Sequence, residues 1–313
     1  MKKAFFITLV LLVITIAMLF FLNKDEIKLA KSEGVDILTE DSSNKEKEIK
    51  ITFLDIGQGD ASFIEWPNGE QMLVDCSKDA RILGALGRAM EYYDKRIDYL
   101  LVTHPDLDHY GGCTDVLKRF DVDNIIYTGL NKNDKTWNFF WKTAQEEGAK
   151  IYEIDSRQEM HISNTVLDFI YPDHNLSVDR GIPGVDKETS DNNASIVFKL
   201  SYGENGVLFT GDMEEDLEEY LVDNYGDQIE AELLKVGHHG SNTSSGQGFL
   251  DLVDPEVSII SVGKDNQYGH PSRRVIKRLE RENSDIWRTD LQGDIILYLD
   301  LKSKKGYTID YNK

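Results

Sequence analysis

Thr103-His104-Pro105-Asp106-Leu107-Asp108-His109-Tyr110-Gly111-Gly112 packs two imidazoles and two carboxylates into the six positions from His104 to His109. The stretch follows directly on Tyr99-Leu100-Leu101-Val102, an apolar run that predicts a buried strand. Pro105 and the Gly111-Gly112 pair stop that strand from continuing, so the charged side chains are presented on a loop at a strand end. Neutral imidazole and carboxylate are the ligands that hold Zn²⁺ or Mn²⁺ at an open, catalytic site.

Upstream, Ile49 to Leu54, Ala61 to Trp66 and Gln71 to Asp75 read as three strands joined by the short turns Gly57-Gln58-Gly59-Asp60 and Pro67-Asn68-Gly69. Turns this short imply an antiparallel meander. A helix is expected from Arg81 to Tyr93 and another around Thr114 to Phe120. Downstream strands are expected at Asn124–Tyr127, Thr165–Ile170, Ala194–Leu200, Gly206–Thr210, Leu233–Val236 and Val257–Val262. An antiparallel pair, Asp294–Leu301 and Gly306–Tyr311, closes the chain, while Asp155–Asn164 and Asp173–Asp191 read as loop-rich. Two sheets covered by helices, forming one domain from Ile49 to Lys313, fit this alternation best.

Four more polar clusters stand at or after apolar runs: Val74-Asp75, Thr210-Gly211-Asp212, Gly237-His238-His239-Gly240-Ser241 and Tyr268-Gly269-His270-Pro271. Five of the chain's seven histidines fall in these clusters or in the stretch around His104. If the strands end at one edge of a sandwich, groups distant in sequence converge there.

His104-x-Asp106-x-Asp108-His109-x-Gly111-Gly112 resembles the metal signature of the metallo-β-lactamase superfamily, with Asp106 where the usual form has His. That Asp form is similar to the hydrolase domain of ComEC-type DNA-uptake (competence) proteins. Leu54-Asp55-Ile56-Gly57-Gln58-Gly59-Asp60-Ala61, Asn192-Asn193-Ala194-Ser195, Gly211-Asp212, His238-His239-Gly240-Ser241 and Tyr268-Gly269-His270-Pro271 agree with it. The resemblance implies an α/β fold, the metallo-β-lactamase-like αββα sandwich, and a hydrolase using two divalent metal ions, Zn or Mn. Carried over, His104 and Asp106 hold the first metal. Asp108, His109 and one of His238 and His239, with His238 preferred, hold the second, and Asp212 bridges the two. Asn192 stands near where many relatives place a further His ligand. Asp60 and Asp75 orient ligands or water from behind, and His270 contacts the substrate or leaving group. Swapping His for Asp hardens the ligand set, which brings in Mn²⁺ beside Zn²⁺. The catalytic work would fall to Asp108, Asp212 and His270.

Such a site suits hydrolysis of phosphodiesters, esters or lactams, and the metal shell alone does not choose among them. The leading expectation is a phosphodiesterase or nuclease acting on extracellular DNA. The alternatives are a hydrolase of a small ester, lactone or lactam, and a non-catalytic DNA-binding module of the cell envelope. A formal net charge of −21 repels nucleic acid unless a local patch reverses the sign. Lys264 to Lys313 does so, with eleven Lys and Arg against eight Asp and Glu, including Arg273, Arg274, Lys277, Arg278 and Arg281 after His270.

Residues Ala4 to Leu22 carry no charge and are apolar apart from two threonines. Nineteen helical residues span roughly 28 Å, close to the hydrocarbon thickness of a bilayer. Lys2 and Lys3 before them predict a cytoplasmic N-terminus and an extracellular catalytic domain at the cell membrane. A cleaved signal peptide and a secreted protein form the competing reading. Polar residues 24–48 read as a flexible linker. One apolar span cannot build a ComEC-type channel, so a DNA-uptake channel would be a separate partner. Cys76 and Cys113 are open to two readings, a pair in an oxidising compartment or two free core thiols.

Overall fold

A computed structural model describes residues 48–186 and 189–313. The expected membrane anchor and linker lie outside the described residues. Its strands are, in chain order, β1 (Ile49–Phe53), β2 (Ser62–Glu65), β3 (Gln71–Val74), β4 (Arg96–Leu101), β5 (Asp121–Tyr127), β6 (Lys150–Glu153), β7 (Gln158–Ile162) and β8 (Thr165–Tyr171). They continue with β9 (Val197–Tyr202), β10 (Asn205–Phe209), β11 (Leu233–Lys235), β12 (Val257–Ile260), β13 (Asp285–Arg288), β14 (Asp294–Leu299) and β15 (Tyr307–Asn312).

One sheet has the spatial order β15-β14-β1-β2-β3-β4-β5-β6, the other β13-β12-β11-β10-β9-β8-β7. The short turns give the expected antiparallel pairings of β1 with β2 and β2 with β3. From β3 through β6, and again from β10 through β13, neighbouring strands are parallel. Parallel strands buried on both faces need near-continuous apolar runs, which Leu100-Leu101-Val102 and Val207-Leu208-Phe209 supply.

Side-chain alternation sorts those runs into three apolar layers. Ile49, Ile51 and Phe53 of β1 pack with Val207 and Phe209 of β10 between the sheets. Leu100, Val102 and Ile125 face the helices Arg81–Ala89 and Lys135–Glu147, whereas Leu208, Leu234 and Ile260 face Glu215–Tyr225, Gln247–Val253 and Arg273–Arg281. Helix, sheet, sheet, helix is the αββα sandwich expected from the sequence.

Some boundaries differ from expectation. The first helix stops at Ala89 rather than Tyr93, because Tyr92 and Tyr93 are 94% and 81% exposed and have no apolar layer to reach. Asp155–Asn164 is not all loop: it contains the edge strand β7, whose Gln158, Glu159 and His161 are exposed and hide its period. The helix Lys135–Glu147 buries Trp137, Phe140, Thr143 and Ala144 on one stripe and is capped by Asp134, whose side chain accepts from the Trp137 N–H. Cys76 and Cys113 are joined in a disulfide, which ties the residue after Asp75 to the residue after Gly112.

Candidate metal centre

Topology alone brings the polar clusters together. Because β3 and β4 run parallel, Asp75 and His104 leave the first sheet at the same edge, and Asp60 enters antiparallel β2 there. In the second sheet Asp212 and His238-His239 follow the parallel strands β10 and β11, while Asn192 precedes antiparallel β9. The two edges are sewn to each other: Ile196 N–H donates to Thr103 O at 2.9 Å, and Lys235 Nζ donates to Asp60 Oδ2 at 2.8 Å.

Close backbone approach sets the loops. Gly59 has φ +124°, and a Cβ there would lie 2.5 Å from the Asp108 carbonyl oxygen. Gly211, at φ +51°, lets Ser195 approach within 2.7 Å of the same hypothetical atom, and the Ser195 Oγ accepts the Asp212 N–H at 2.9 Å. Asp75, His238 and His239 also take left-handed backbone angles, at φ 60°, 47° and 54°. Non-glycine residues hold such angles at a cost of order 1 kcal/mol each, a form of strain that clusters at functional sites.

Each of three buried imidazoles is turned the same way. His109 Nδ1 donates to Asp75 Oδ2 at 2.8 Å, and Asp75 itself is held by the Thr103 N–H and Oγ1, both at 2.8 Å. His104 Nδ1 faces Thr103 Oγ1 at 3.1 Å and Ser195 Oγ at 3.3 Å. His239 Nδ1 donates to the Ser261 carbonyl at 3.0 Å. With Nδ1 carrying the proton in each, the Nε2 lone pairs remain for the centre.

Those Nε2 atoms have no hydrogen-bond partner. His104 Nε2, His109 Nε2, His239 Nε2 and Asp212 Oδ1 are all buried and unbonded. Asp212 Oδ2 lies 3.2 Å from His109 Nε2 and 3.5 Å from His239 Nε2, while Asp108 Oδ2 lies 3.4 Å from His239 Nε2. Ligand atoms of His104, His109 and Asp212 fall within 4.8 Å of one another, as do those of Asp108, His109 and His239, and of Asp60, Asp212 and His239. Orphaned, convergent imidazole and carboxylate atoms in a buried site are what a divalent cation satisfies. The residues therefore fit a metal.

Electrostatics point the same way. Burial opposes charging His109 and His239, yet the Asp212 carboxylate, with Asp75 for one and Asp60 for the other, outweighs it. His109 is held well above its ordinary range and His239 is raised to about 10. Burial likewise opposes ionisation of Asp108, but the His239 imidazole and the charge on His109 bring it down to about 2. Asp212 is held well below the carboxylate range by the same two histidines, against its burial. His104 is pushed down by burial and by its neighbour His109. The carboxylates draw positive charge into the cluster, which protons supply in the cation-free protein and a metal replaces.

The remaining sequence candidates sit around this centre. Asp106 Oδ1 accepts from Lys132 Nζ at 2.7 Å, and its Oδ2 lies 3.9 Å from His104 Nε2. Asn192 directs Nδ2 toward Glu214 and His238, both at 3.3 Å. Between the paired histidines the geometry favours His239. His238 is only partly buried, with Nδ1 3.4 Å from Glu214 Oε1 and Nε2 3.9 Å from Asp212. Asp60 stands behind His239, 3.5 Å from its Nδ1. His270 lies on the rim, its ring 5.7 Å from those of both His238 and Tyr268. Half-burial and the charges of His239 and His238 lower it to about 4.

Sequence reasoning passes over Lys235, Thr103 and Ser195, which do much of the positioning. Lys235 is 2% exposed and pairs with Asp60 across the sheets. A lysine inside the apolar run Leu233-Leu234-Lys235-Val236 was the available signal. Beside Asp108 opens a cavity of about 680 Å³, lined among others by Gln58, Lys78, Arg81, Lys264 and Tyr268.

The family match agrees with this architecture. Residues 54–264 match a family model described as the metallo-beta-lactamase superfamily. ComE operon protein 3 of Bacillus subtilis (strain 168) is 30% identical over 79% of this chain and 32% of its own length. Competence protein ComA of Neisseria gonorrhoeae is 29% identical, again over 79% and 32%. The chain thus spans about a third of these relatives. Among solved structures, the metallo-beta-lactamase fold protein YhfI from Bacillus subtilis is similar with a TM-score of 0.49 and 12% identity, over 77% of this chain and 95% of that one.

Proposed function

Because this chain belongs to the metallo-beta-lactamase superfamily, we propose that it is a divalent-metal-dependent phosphodiesterase, a nuclease acting on DNA outside the cell membrane. The observation that carries the hydrolytic reading is the set of unbonded buried atoms, His104 Nε2, His109 Nε2, His239 Nε2 and Asp212 Oδ1. In this reading His104, His109 and Asp212, with Asp106 beside His104, would hold one divalent cation, and Asp108, His109 and His239 would hold a second. A bound divalent cation, Zn²⁺ or Mn²⁺, supplies Lewis-acid polarisation of a phosphoryl oxygen and renders water nucleophilic near neutral pH.

The chain's own residues do the rest. Asp75, Thr103, Ser195 and the Ser261 carbonyl hold the Nδ1 protons and so fix where each Nε2 points. Asp108, lowered to about 2, and Asp212 stay ionised and orient the attacking water by accepting its hydrogen bonds. His270, lowered to about 4, is uncharged near neutrality and offers a ring N–H to the leaving oxygen. Lys78, Arg81 and Lys264 line the adjacent cavity among the carboxylates Asp55, Asp108 and Asp265, and offer a phosphodiester cationic partners there.

Support for DNA comes from the competence relatives, and support for an extracellular site from the Cys76–Cys113 disulfide, which suits an oxidising compartment. The test loads the full chain with Zn²⁺ or Mn²⁺ and assays labelled single-stranded DNA, bis(p-nitrophenyl) phosphate and a β-lactam in parallel. Turnover of the DNA and the phosphodiester, lost in Asp212→Asn, is expected. Hydrolysis of the lactam alone would overturn the nuclease reading.

A further inference from the structure

The helix Arg273–Arg281 carries a charge pattern that the metal centre does not use. Val275 and Leu279 face the core, and Arg273, Arg274, Lys277, Arg278 and Arg281 occupy two adjoining rows on the other side. These five basic residues line a groove of about 420 Å³. Like charges four residues apart, as in Arg273 with Lys277 and Arg274 with Arg278, oppose helix formation. Arg278 is compensated, with Glu215 at 2.9 Å and the Ser245 carbonyl at 2.8 Å. Among the described residues, Arg281 reaches only the neutral Gln247 side chain by hydrogen bond. Arg273, Arg274 and Lys277 are exposed, and the described residues provide no ion pair to them. In a chain of net charge −21 this is a local reversal of sign that calls for an external anion.

Its position ties it to the site. The helix starts at Ser272, whose Oγ accepts the Val275 N–H and whose own N–H donates to the carbonyl of Gly240, the residue after His239. The basic rows therefore begin beside the turn that carries His238 and His239, next to His270.

We propose that this face is a phosphate track for a nucleic-acid strand. With one phosphodiester at the metal centre, phosphates further along the same strand lie against Arg273, Arg274 and Lys277. The inference rests on the nuclease reading and adds to it a preference for polymer over small phosphodiesters. Residues four apart on a helix are about 6 Å apart along its axis, so each row presents its cations in sequence to a backbone. A lipid surface fits less well. A helix lying on a bilayer exposes an apolar face, and here Val275 and Leu279 are fully buried against the sheet.

The test compares the full-length chain with the triple variant Arg273→Gln, Arg274→Gln, Lys277→Gln. Anisotropy of a labelled oligothymidylate is followed from 0.05 to 0.2 M salt, beside turnover of bis(p-nitrophenyl) phosphate. Each phosphate contact on a single strand contributes about 0.7 to the salt slope, so losing three flattens it by about 2 and weakens binding at least tenfold at low salt. Small-substrate turnover stays within twofold. Arg273→Lys with Arg274→Lys keeps the charge and retains the slope. An unchanged slope in the triple variant overturns the track, as does equal loss in the lysine variant. Lost binding to phosphatidylglycerol vesicles with DNA binding intact also overturns it, assigning the face to lipid. If the wild type hydrolyses neither substrate, the nuclease reading falls, and the binding slope still decides the track.

Discussion

Replacing Asp75 by Asn tests how the centre is built, because it keeps the side chain's shape while removing its charge and one acceptor oxygen. Asp75 accepts three hydrogen bonds of 2.8 Å, from the Thr103 N–H and Oγ1 and from His109 Nδ1. An asparagine has one oxygen, so its NH₂ must face one of these donors. If it faces His109, the imidazole must accept at Nδ1, its proton moves to Nε2, and the lone pair aimed at the centre is lost. If it faces Thr103, a buried backbone N–H is orphaned instead. Outer-shell changes of this kind typically weaken metal binding 10- to 100-fold, about 1.4–2.8 kcal/mol. Loss of a bond to a charged acceptor should also lower the stability of the cation-free protein by about 2–3 kcal/mol. Competition against a chromophoric chelator gives the first quantity, and urea unfolding in EDTA the second. Thr103→Val leaves His109 its partner and leaves His104 Nδ1 the Ser195 Oγ, so it should weaken metal binding less than tenfold. Wild-type metal affinity in Asp75→Asn, with stability alone reduced, would refute the orienting role and leave Asp75 as a structural hub.

Three other perturbations follow from the same geometry. Lys235→Met leaves the buried Asp60 carboxylate unpaired and should cost on the order of 3–5 kcal/mol in urea unfolding, with much of it recovered in the double variant carrying Asp60→Asn; no recovery would mean the pair is not coupled. Glu218 is buried and raised to about 8 by that burial, against the backbone N–H groups of Ser245 and Gly246. A folded-state value above the unfolded 4.5 stabilises fully below pH 4.5 and is lost as pH rises through 8, so stability should fall across that window and Glu218→Gln should flatten the profile. Reducing Cys76–Cys113, which lie 37 residues apart, should remove about 4 kcal/mol by the loop-entropy relation, seen as a lower melting temperature in dithiothreitol; an unchanged melting temperature would show that the bridge adds nothing.

The fold was legible where local chemistry is repetitive. Period-2 runs and short Gly and Pro turns marked the meander β1-β2-β3, and largely apolar runs marked β4, β10, β11 and β12. The edge strand β7 stayed hidden because most of its side chains face water, so burial leaves no pattern in it. At the site, the structure brings together His104, Asp108, His109 and Asp212, which residue types and spacing single out, since strand ends in a parallel sheet share an edge.

By itself, the sequence determined which side chains would be offered at strand ends, and the strand faces that carry them there. Only the tertiary structure decided what each of those groups meets. His239 rather than His238 turns inward because Ser261, from a different strand's end, holds its Nδ1, and adjacent histidines in one loop are indistinguishable without that contact. Lys235 and Asp60 are 175 residues apart, and Cys76 pairs with Cys113 only because two loops are stacked. Ligand direction is set by single long-range hydrogen bonds that leave no periodic trace along the chain. Composition and spacing therefore state the metal chemistry, and the folded edge assigns its atoms.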